Sequence, residues 1–121
     1  MGLILADTNV IIYMPEGDAS IAQLFDDNQV AISFITELEL LTGKAYSSVQ
    51  SKLINTTIDK CLVYNYNNAI KKSCIGLRAK YLLKLSDSII AATALAYNLP
   101  LFTSDKHFAK LTEIEISLYT F

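Results

Sequence analysis

Three aspartates occupy positions where an apolar segment ends or a helix is expected to begin. Asp7 follows the apolar run 3–6, Asp105 follows the run "LFTS", and Asp87 stands at the start of a predicted helix. A single aspartate at such a position is typical of helix capping, because its side chain satisfies free backbone N–H groups. Several carboxylates at one place, without histidine or cysteine partners, are instead the ligands that Mg²⁺ and Mn²⁺ prefer. Such an ion can activate a bound water and stabilise charge on a phosphodiester, so the aspartates suggest a metal-dependent hydrolytic site.

Two glutamates in the segment "ISFITELELL" raise the question of a fourth acid. In a strand, Glu37 and Glu39 would both lie on one solvated face. In a helix they point roughly 200° apart, so that one can face solvent and the other the sheet. We predict that the chain leaves the sheet after "AISFI" and that a helix begins at Thr36. Thr36 and Glu39 then match a capping box, and Glu39 is also the glutamate that can turn back toward Asp7.

Predicted strands and helices alternate along the whole chain, which places it in the α/β class. We expect strands at 3–6, 29–35, 61–66, 99–105 and 115–121, and helices at 19–27, 36–46, 47–59, 67–81 and 87–97, with Ser86 capping the last of these. The pattern predicts a small, mainly parallel central sheet with helices on both faces, in one domain of residues 1–121. In such a sheet the carboxyl ends of the strands form one rim, where Asp7, Thr8, Asn9 and Asp105 would meet.

Composition limits the classes of function. The chain has 121 residues, of which 52% are hydrophobic, yet the apolar runs are too short to cross a membrane, and we predict a cytoplasmic protein. Cys61 and Cys74 lack metal-like spacing. The net charge of −2 and the one arginine, Arg78, give no general electrostatic footprint for nucleic acid. The lysines and arginine between 71 and 84 are interpreted as a solvated helix face in preference to a phosphate-contacting stripe.

Four segments together resemble a known family. The segments are "ADTNVII" (6–12), "SFITELELLTG" (33–43), "LSDSIIAATALAYNLPLFTSD" (85–105) and the closing "EISLY". They look like a PIN domain, and within that family the VapC-type toxin ribonucleases of toxin–antitoxin pairs. The resemblance covers nearly the whole chain.

The resemblance implies a three-layer PIN-like fold and a Mg²⁺- or Mn²⁺-dependent RNA endonuclease with four acids. Matching motif to motif, Asp7, Asp87 and Asp105 take the first, third and fourth acid positions. Glu39 takes the second, in the pattern Thr-x-x-Glu-Leu-x-x-Gly that ends at Gly43. The resemblance also implies a homodimer and a cognate antitoxin that blocks the site. The supporting polar groups would be Asn9, Thr36, Thr103 and Ser104.

Other classes fit the sequence less well. A receiver-type phosphoacceptor domain needs an acidic pair after the first strand, and "DTN" supplies one acid. A dehalogenase-like phosphatase needs Asp-x-Asp at the same place. A non-catalytic PIN-like binding module remains an alternative, although it has no reason to retain four mutually repelling acids.

Overall fold

The computed structural model describes residues 2–13, 19–42 and 46–119. Its strands are β1 (Leu3–Ala6), β2 (Gln29–Ser33), β3 (Leu62–Tyr64), β4 (Leu101–Thr103) and β5 (Ile116–Leu118). Its α-helices are α1 (Thr8–Tyr13), α2 (Ala19–Asp27), α3 (Phe34–Thr42), α4 (Ser48–Asp59), α5 (Asn68–Lys80) and α6 (Leu85–Tyr97), and a 3₁₀ helix spans Lys106–Lys110. The predicted alternation of strands and helices is therefore confirmed.

The five strands form one parallel sheet in the order β3-β2-β1-β4-β5. The chain moves from β1 to β2 and β3 on one side, then returns to add β4 and β5 on the other. The order reverses between β1 and β4, which is where open α/β sheets place their binding crevice. Receiver-type domains have the order 2-1-3-4-5, so the sheet also argues against that alternative.

Helices cover both faces of the sheet. Because successive side chains of a strand point to opposite faces, β1 contributes to two separate cores. Leu5 packs with residues of α5, α6 and the 3₁₀ helix, while Ile4 and Ala6 pack with residues of α1 to α4. This arrangement confirms the predicted three-layer architecture. Among the described helices, none combines the length and apolar character needed to cross a membrane.

Two predicted helix starts are wrong. Helix α3 begins at Phe34, two residues before the predicted start, and the Ser33 side chain accepts a hydrogen bond of 3.2 Å from the Ile35 N–H. Helix α6 begins directly after Lys84, which provides no side-chain cap, so Ser86 is not the capping residue. At both helix starts, the residues on the two sides of the boundary do not differ in polarity in a way that would show where the helix begins.

The start of α5 and the end of α6 agree with the predicted ranges, whereas the strands after β1 are shorter than predicted and helix α1 was not predicted. Asn67 caps α5, because its side chain accepts a hydrogen bond of 3.0 Å from the Ile70 N–H. Asn98 ends α6 in the left-handed conformation with φ 52°, which asparagine tolerates better than most residues. Residues 43–45 of the predicted helix 36–46 and the last two residues of the predicted final strand lie outside the described residues.

Candidate active site

Asp7 stands at the carboxyl end of β1, where the backbone and two threonines fix it. Its N–H donates to the Phe102 carbonyl at 2.9 Å, which continues the pairing of β1 with β4. Its Oδ1 accepts from the Thr8 N–H at 2.8 Å, and its Oδ2 accepts from the Thr103 hydroxyl at 2.8 Å. Asp7 is only 4% exposed. Both carboxylate oxygens are therefore hydrogen-bonded inside the protein.

Burial raises the pKa of Asp7 to about 6, from an ordinary value of 3.8. The hydrogen bonds from Thr103 and Thr8 act in the opposite direction, because they stabilise the ionised carboxylate. The negative charges of Asp87 and Asp105 raise the pKa further. Burial, with a further contribution from the neighbouring acids, thus brings the pKa of Asp7 closer to neutral pH than is usual for an aspartate.

Thr103, the last residue of β4, connects two of the acids. Its hydroxyl donates to Asp7 and accepts a hydrogen bond of 3.0 Å from the Asp105 N–H. Asp105 precedes the 3₁₀ helix, and its Oδ1 lies 2.8 Å from both the backbone nitrogen and Nδ1 of His107. The His107 side chain is 81% exposed. One buried hydroxyl therefore fixes the spacing of the first and fourth acid positions.

Glu39 reaches the same rim from α3. Its Oε1 accepts a hydrogen bond of 2.8 Å from the Thr8 hydroxyl, whose oxygen also lies 3.0 Å from the hydroxyl oxygen of buried Thr36. The predicted capping box between Thr36 and Glu39 is wrong, because α3 starts earlier and Glu39 bonds to Thr8 instead. Glu37 is half-buried in the first turn of α3 and does not line the cleft described below.

Asp87 enters the rim from the first turn of α6 and is half-buried. Its pKa is raised, first by burial and then by the charges of Asp105 and Glu39, while Lys84 and His107 oppose the rise. Mutual influence of this kind requires the carboxylates to lie near one another, since charge interactions weaken with distance and screening.

The four acids line one open cleft of about 360 Å³ at the carboxyl edge of the sheet. Each comes from a different part of the chain: the end of β1, helix α3, the start of α6 and the end of β4. The described lining residues are Asp7, Thr8, Asn9, Ile12, Glu39, Tyr46, Lys84, Ser86, Asp87 and Asp105. Acids separated by up to 98 positions in the sequence thus converge where the strand order reverses.

Comparison with known proteins gives the family. The family model of the PIN domain matches residues 4–114. The chain belongs to the PIN domain family. The predicted resemblance is therefore confirmed over nearly the whole length. No curated protein sequence matches the chain significantly.

Solved structures similar to this PIN domain include several toxin–antitoxin complexes. A toxin–antitoxin complex from Klebsiella pneumoniae has a chain 32% identical, with a TM-score of 0.78 over 92% of this chain and 94% of that one. VapBC2 from Rickettsia felis, bound to a DNA fragment from its promoter, gives 0.84 at 19% identity over 99% and 100%. DNA-bound VapBC from Salmonella typhimurium gives 0.83 at 22% over 97% and 98%. The last two similarities show a shared fold.

The predicted supporting residues fall in different places within the PIN domain. Thr36 and Thr103 are fully buried. The Thr103 hydroxyl donates to Asp7, and the Thr36 hydroxyl oxygen lies 3.0 Å from that of Thr8, which donates to Glu39. Asn9 is exposed and lines the cleft. Ser104 is half-buried and is not among the described lining residues. Gly43 lies outside the described residues.

Sequence reasoning assigned no role to three residues of the cleft. Thr8 was expected at the rim, but nothing in the sequence shows that its hydroxyl would hold Glu39. Lys84 lies in the basic segment that was interpreted as a solvated face, yet it lines the cleft. Tyr46 borders the cleft while its ring packs against the core beneath α1 to α4. For Lys84, its position three residues before Asp87 was the available signal.

The donor chemistry fits a hard divalent cation, although the carboxylates are not gathered around one point. In the part of the chain that the structure describes, no three carboxylate, imidazole or thiol groups lie close enough together to hold one ion. All four candidate ligands offer oxygen, the donor that Mg²⁺ and Mn²⁺ prefer. A cation would also relieve the repulsion between the acids, which adds to burial in raising the pKa values of Asp7 and Asp87.

Proposed function

We propose that this PIN domain, residues 1–121, is a metal-dependent endoribonuclease and the toxin of a type II toxin–antitoxin pair. The observation that carries the proposal is the convergence of four carboxylates from four elements on one cleft, with Asp7 buried among like charges. Such a group is destabilising on its own, since neighbouring acids oppose one another's ionisation. Its retention at the switch point of the sheet is best explained by a bound cation and by catalysis.

Mg²⁺ or Mn²⁺ would be held by Asp7, Glu39, Asp87 and Asp105. When bound, such an ion lowers the pKa of a water and stabilises charge on a phosphodiester. The protein's own hydroxyls orient the acids before any ion arrives: Thr103 holds Asp7, and Thr8 holds Glu39. Asn9 lines the exposed side of the cleft, where its amide can contact a bound phosphate.

The biological setting is proposed from the structural neighbours. Several of them are VapBC or other toxin–antitoxin complexes, and one is 32% identical to this chain. We infer that this protein forms a homodimer and acts on RNA in the cytoplasm. We also infer that a cognate antitoxin binds it and covers the acid cleft. Light scattering of the purified protein measures the dimer directly, and a monomer at micromolar concentration would contradict that part.

The test of catalysis uses purified protein, a fluorescently labelled single-stranded RNA of mixed sequence, and Mn²⁺. We expect endonucleolytic cleavage that EDTA stops. Asp7→Asn should reduce the rate by at least about 100-fold, because even groups that merely support metal ligands contribute about 10- to 100-fold. Metal-dependent cleavage that survives unchanged in Asp7→Asn would refute the assignment.

A matched pair of variants separates the two glutamates of α3. Glu39→Gln removes a carboxylate that lines the cleft, whereas Glu37→Gln makes the same chemical change one half-turn away, outside the cleft. We expect Glu39→Gln to lose cleavage and Glu37→Gln to keep it. The reverse result would mean that Glu37 is the catalytic acid.

The toxin role is tested in a bacterial host. Induced expression of the unmutated protein should arrest growth, and Asp7→Asn expressed to the same level should not. Equal growth in the two strains would argue against a toxin, while leaving the nuclease assignment to the cleavage assay.

A further inference from the structure

One basic side chain, Lys84, stands among the described residues that line the acid cleft. Every other charged group in that lining is a carboxylate. An RNA strand brings further negative charge, and the chain offers little to attract it, with a net charge of −2 and one arginine. A cation at the cleft is therefore a natural candidate for holding the strand beside the acids.

Lys84 occupies the position directly before α6, in an extended conformation, and is exposed. Its charge opposes the rise in the pKa of Asp87 that burial causes, so the two side chains lie close enough to interact. Among the described residues, the ion pairs within 4 Å are Lys80 with Glu113 and His107 with Asp105. The Lys84 ammonium takes part in neither of them, so these pairs do not occupy its donors.

The loop that carries Lys84 is held from two sides by other cations. Arg78 of α5 donates to the Leu83 carbonyl at 3.2 Å and lies 3.4 Å from the Ser88 hydroxyl of α6. Lys110 of the 3₁₀ helix donates to the Leu82 carbonyl at 3.0 Å. These bonds fix the backbone on which Lys84 is mounted.

A third contact anchors the start of the same loop. Glu113 accepts hydrogen bonds of 2.9 Å from Lys80 and 2.7 Å from the Tyr81 hydroxyl. The basic segment therefore divides by role: Arg78 and Lys80 bond to the protein itself, whereas Lys84 faces the cleft. A loop fixed at this many points holds the backbone of Lys84 in a defined place.

We propose that Lys84 binds a phosphate oxygen of the RNA backbone beside the scissile bond and that Arg78 positions it for this contact. The proposal rests on the proposed ribonuclease function. Lysine suits the task because its ammonium is a compact charge with three donors on a flexible stem. The contact carries no base specificity, since it reads the backbone alone.

RNA binding can be measured apart from cleavage in the Asp7→Asn background, by fluorescence anisotropy over a series of salt concentrations. Adding Lys84→Gln should weaken binding about tenfold, the typical effect of one charge-assisted hydrogen bond. It should also reduce the slope of log affinity against log salt by about 0.7, as expected for one phosphate contact on a single strand. Lys72→Gln, an exposed lysine of α5 outside the described cleft lining, is the matched control. Equal effects of the two substitutions would overturn the proposal.

Steady-state kinetics distinguish phosphate binding from a purely electrostatic effect on the acids. If Lys84 holds the strand, Lys84→Gln raises KM about tenfold and leaves kcat within about threefold, because the contact is made in both ground and transition states. Lys84→Arg should retain most of the affinity. A fall in kcat with KM and the salt slope unchanged would show that Lys84 merely tunes the carboxylates, and would refute the phosphate contact.

The role of Arg78 is tested by a double-mutant cycle. Arg78→Gln alone should raise KM, and in the Lys84→Gln background it should raise KM no further. An equal effect in both backgrounds would show that Arg78 does not act through Lys84.

The two proposals fail in different ways. RNA binding that depends on Lys84, without any cleavage by the unmutated protein, would contradict the proposed nuclease and support the phosphate contact. Cleavage whose rate and KM are unchanged by Lys84→Gln would support the proposed nuclease and contradict the phosphate contact. Binding of an acidic peptide, but not RNA, that depends on Lys84 would replace the phosphate by a protein carboxylate and overturn the proposal.

Discussion

Burial makes the ionisation of Asp7 oppose folding, and this can be measured without assaying activity. It is 4% exposed and its pKa is raised to about 6, chiefly by burial, from an ordinary value of 3.8. A shift of about 2.2 pKa units corresponds to about 3 kcal/mol, at 1.36 kcal/mol per unit. Asparagine has nearly the same shape as aspartate but carries no charge, and its amide nitrogen cannot accept the hydrogen bond that one Asp7 oxygen receives, a loss of about 1 kcal/mol. Asp7→Asn should therefore stabilise the metal-free protein while abolishing cleavage.

The sign and the pH window follow from proton linkage. Because the folded-state pKa of Asp7 is raised, the native protein binds this proton more tightly than the unfolded chain does. The favourable contribution is fully present below pH 3.8 and is lost as the pH rises through about 6. The charge removed by Asp7→Asn contributes about 3 kcal/mol at pH 8 and about 1 kcal/mol at pH 4.5, so after the loss of one hydrogen bond the net gain in the free energy of unfolding should be about 2 kcal/mol at pH 8 and about zero at pH 4.5.

Urea denaturation in EDTA, at equal protein concentration and at both pH values, measures this difference. Asp26→Asn changes an exposed aspartate of α2 and is the control, with an expected effect within about 0.5 kcal/mol. The reasoning is refuted if Asp7→Asn is no more stable than the unmutated protein at pH 8. It is also refuted if the gain is the same at pH 4.5, because the effect would then not arise from ionisation.

Added metal should offset this difference in stability. An ion that binds the native state alone stabilises it by about 2.7 kcal/mol at a concentration 100 times Kd. Mn²⁺ should therefore raise the free energy of unfolding of the unmutated protein at pH 8 and leave that of Asp7→Asn nearly unchanged. Equal stabilisation of the two proteins would place any bound metal elsewhere.

Three further predictions concern the hydroxyls and the pH profile. Thr103→Val removes the hydrogen bonds to Asp7 and from the Asp105 N–H, and should destabilise the protein by about 1–3 kcal/mol in urea denaturation. It should also raise the pKa of Asp7 further, which carboxyl ¹³C NMR can follow. An unchanged pKa would contradict the assigned hydrogen bond. Thr8→Val frees the Glu39 carboxylate and should lower kcat about tenfold with a destabilisation of about 1 kcal/mol, so loss of stability with full kcat would remove Thr8 from the site. Cleavage at low Mn²⁺ should fall as the pH drops through about 6, where Asp7 takes up its proton, and higher Mn²⁺ should move the midpoint lower, because metal and proton compete for the carboxylate. A midpoint independent of Mn²⁺ would mean that Asp7 is not a ligand.

The sheet was predictable because its signals are strong and local. Short apolar runs ending in Asp7 and Asp105, separated by segments with helical patterning, predict parallel strands whose polar ends share a rim. The structure places both aspartates there, at the point where the strand order reverses. The family motif selects Glu39 and Asp87 as well, which the local sequence alone explains equally well by helix capping or dipole effects.

The start of α3 could not be predicted, and the error has a physical cause. Phe34 and Ile35 continue the apolar character of β2, and an apolar run does not distinguish a buried strand from a buried helix. The sheet ends at Ser33, where the Ser33 hydroxyl accepts a hydrogen bond from the Ile35 N–H in the first turn of α3. That two-residue difference removes the capping box and leaves Glu39 to bond to Thr8 across 31 positions of sequence.

The position of Lys84 in the cleft could not be predicted from the local sequence either. Five cations between residues 71 and 84 have similar local surroundings in the sequence, and all of them suit a solvated helix. Their roles differ because of distant partners: Glu113 for Lys80, and the carbonyl of Leu83 for Arg78. Which lysine faces the acids depends on how α5 and α6 pack, and this information is not local.

The choice of groups that hold the acids supports the proposed metal site. Asp7 and Glu39 are oriented by hydroxyl and backbone N–H donors from Thr8 and Thr103, whereas the described ion pairs involve Glu113 and Asp105. A hydroxyl fixes the direction of a carboxylate without neutralising it. A buried lysine or arginine in the same place would lower the pKa of Asp7, but it would also supply the positive charge that a metal ion would otherwise bring. Neutral donors therefore keep Asp7 and Glu39 aligned and their charge uncompensated, which is the state that favours uptake of a divalent cation.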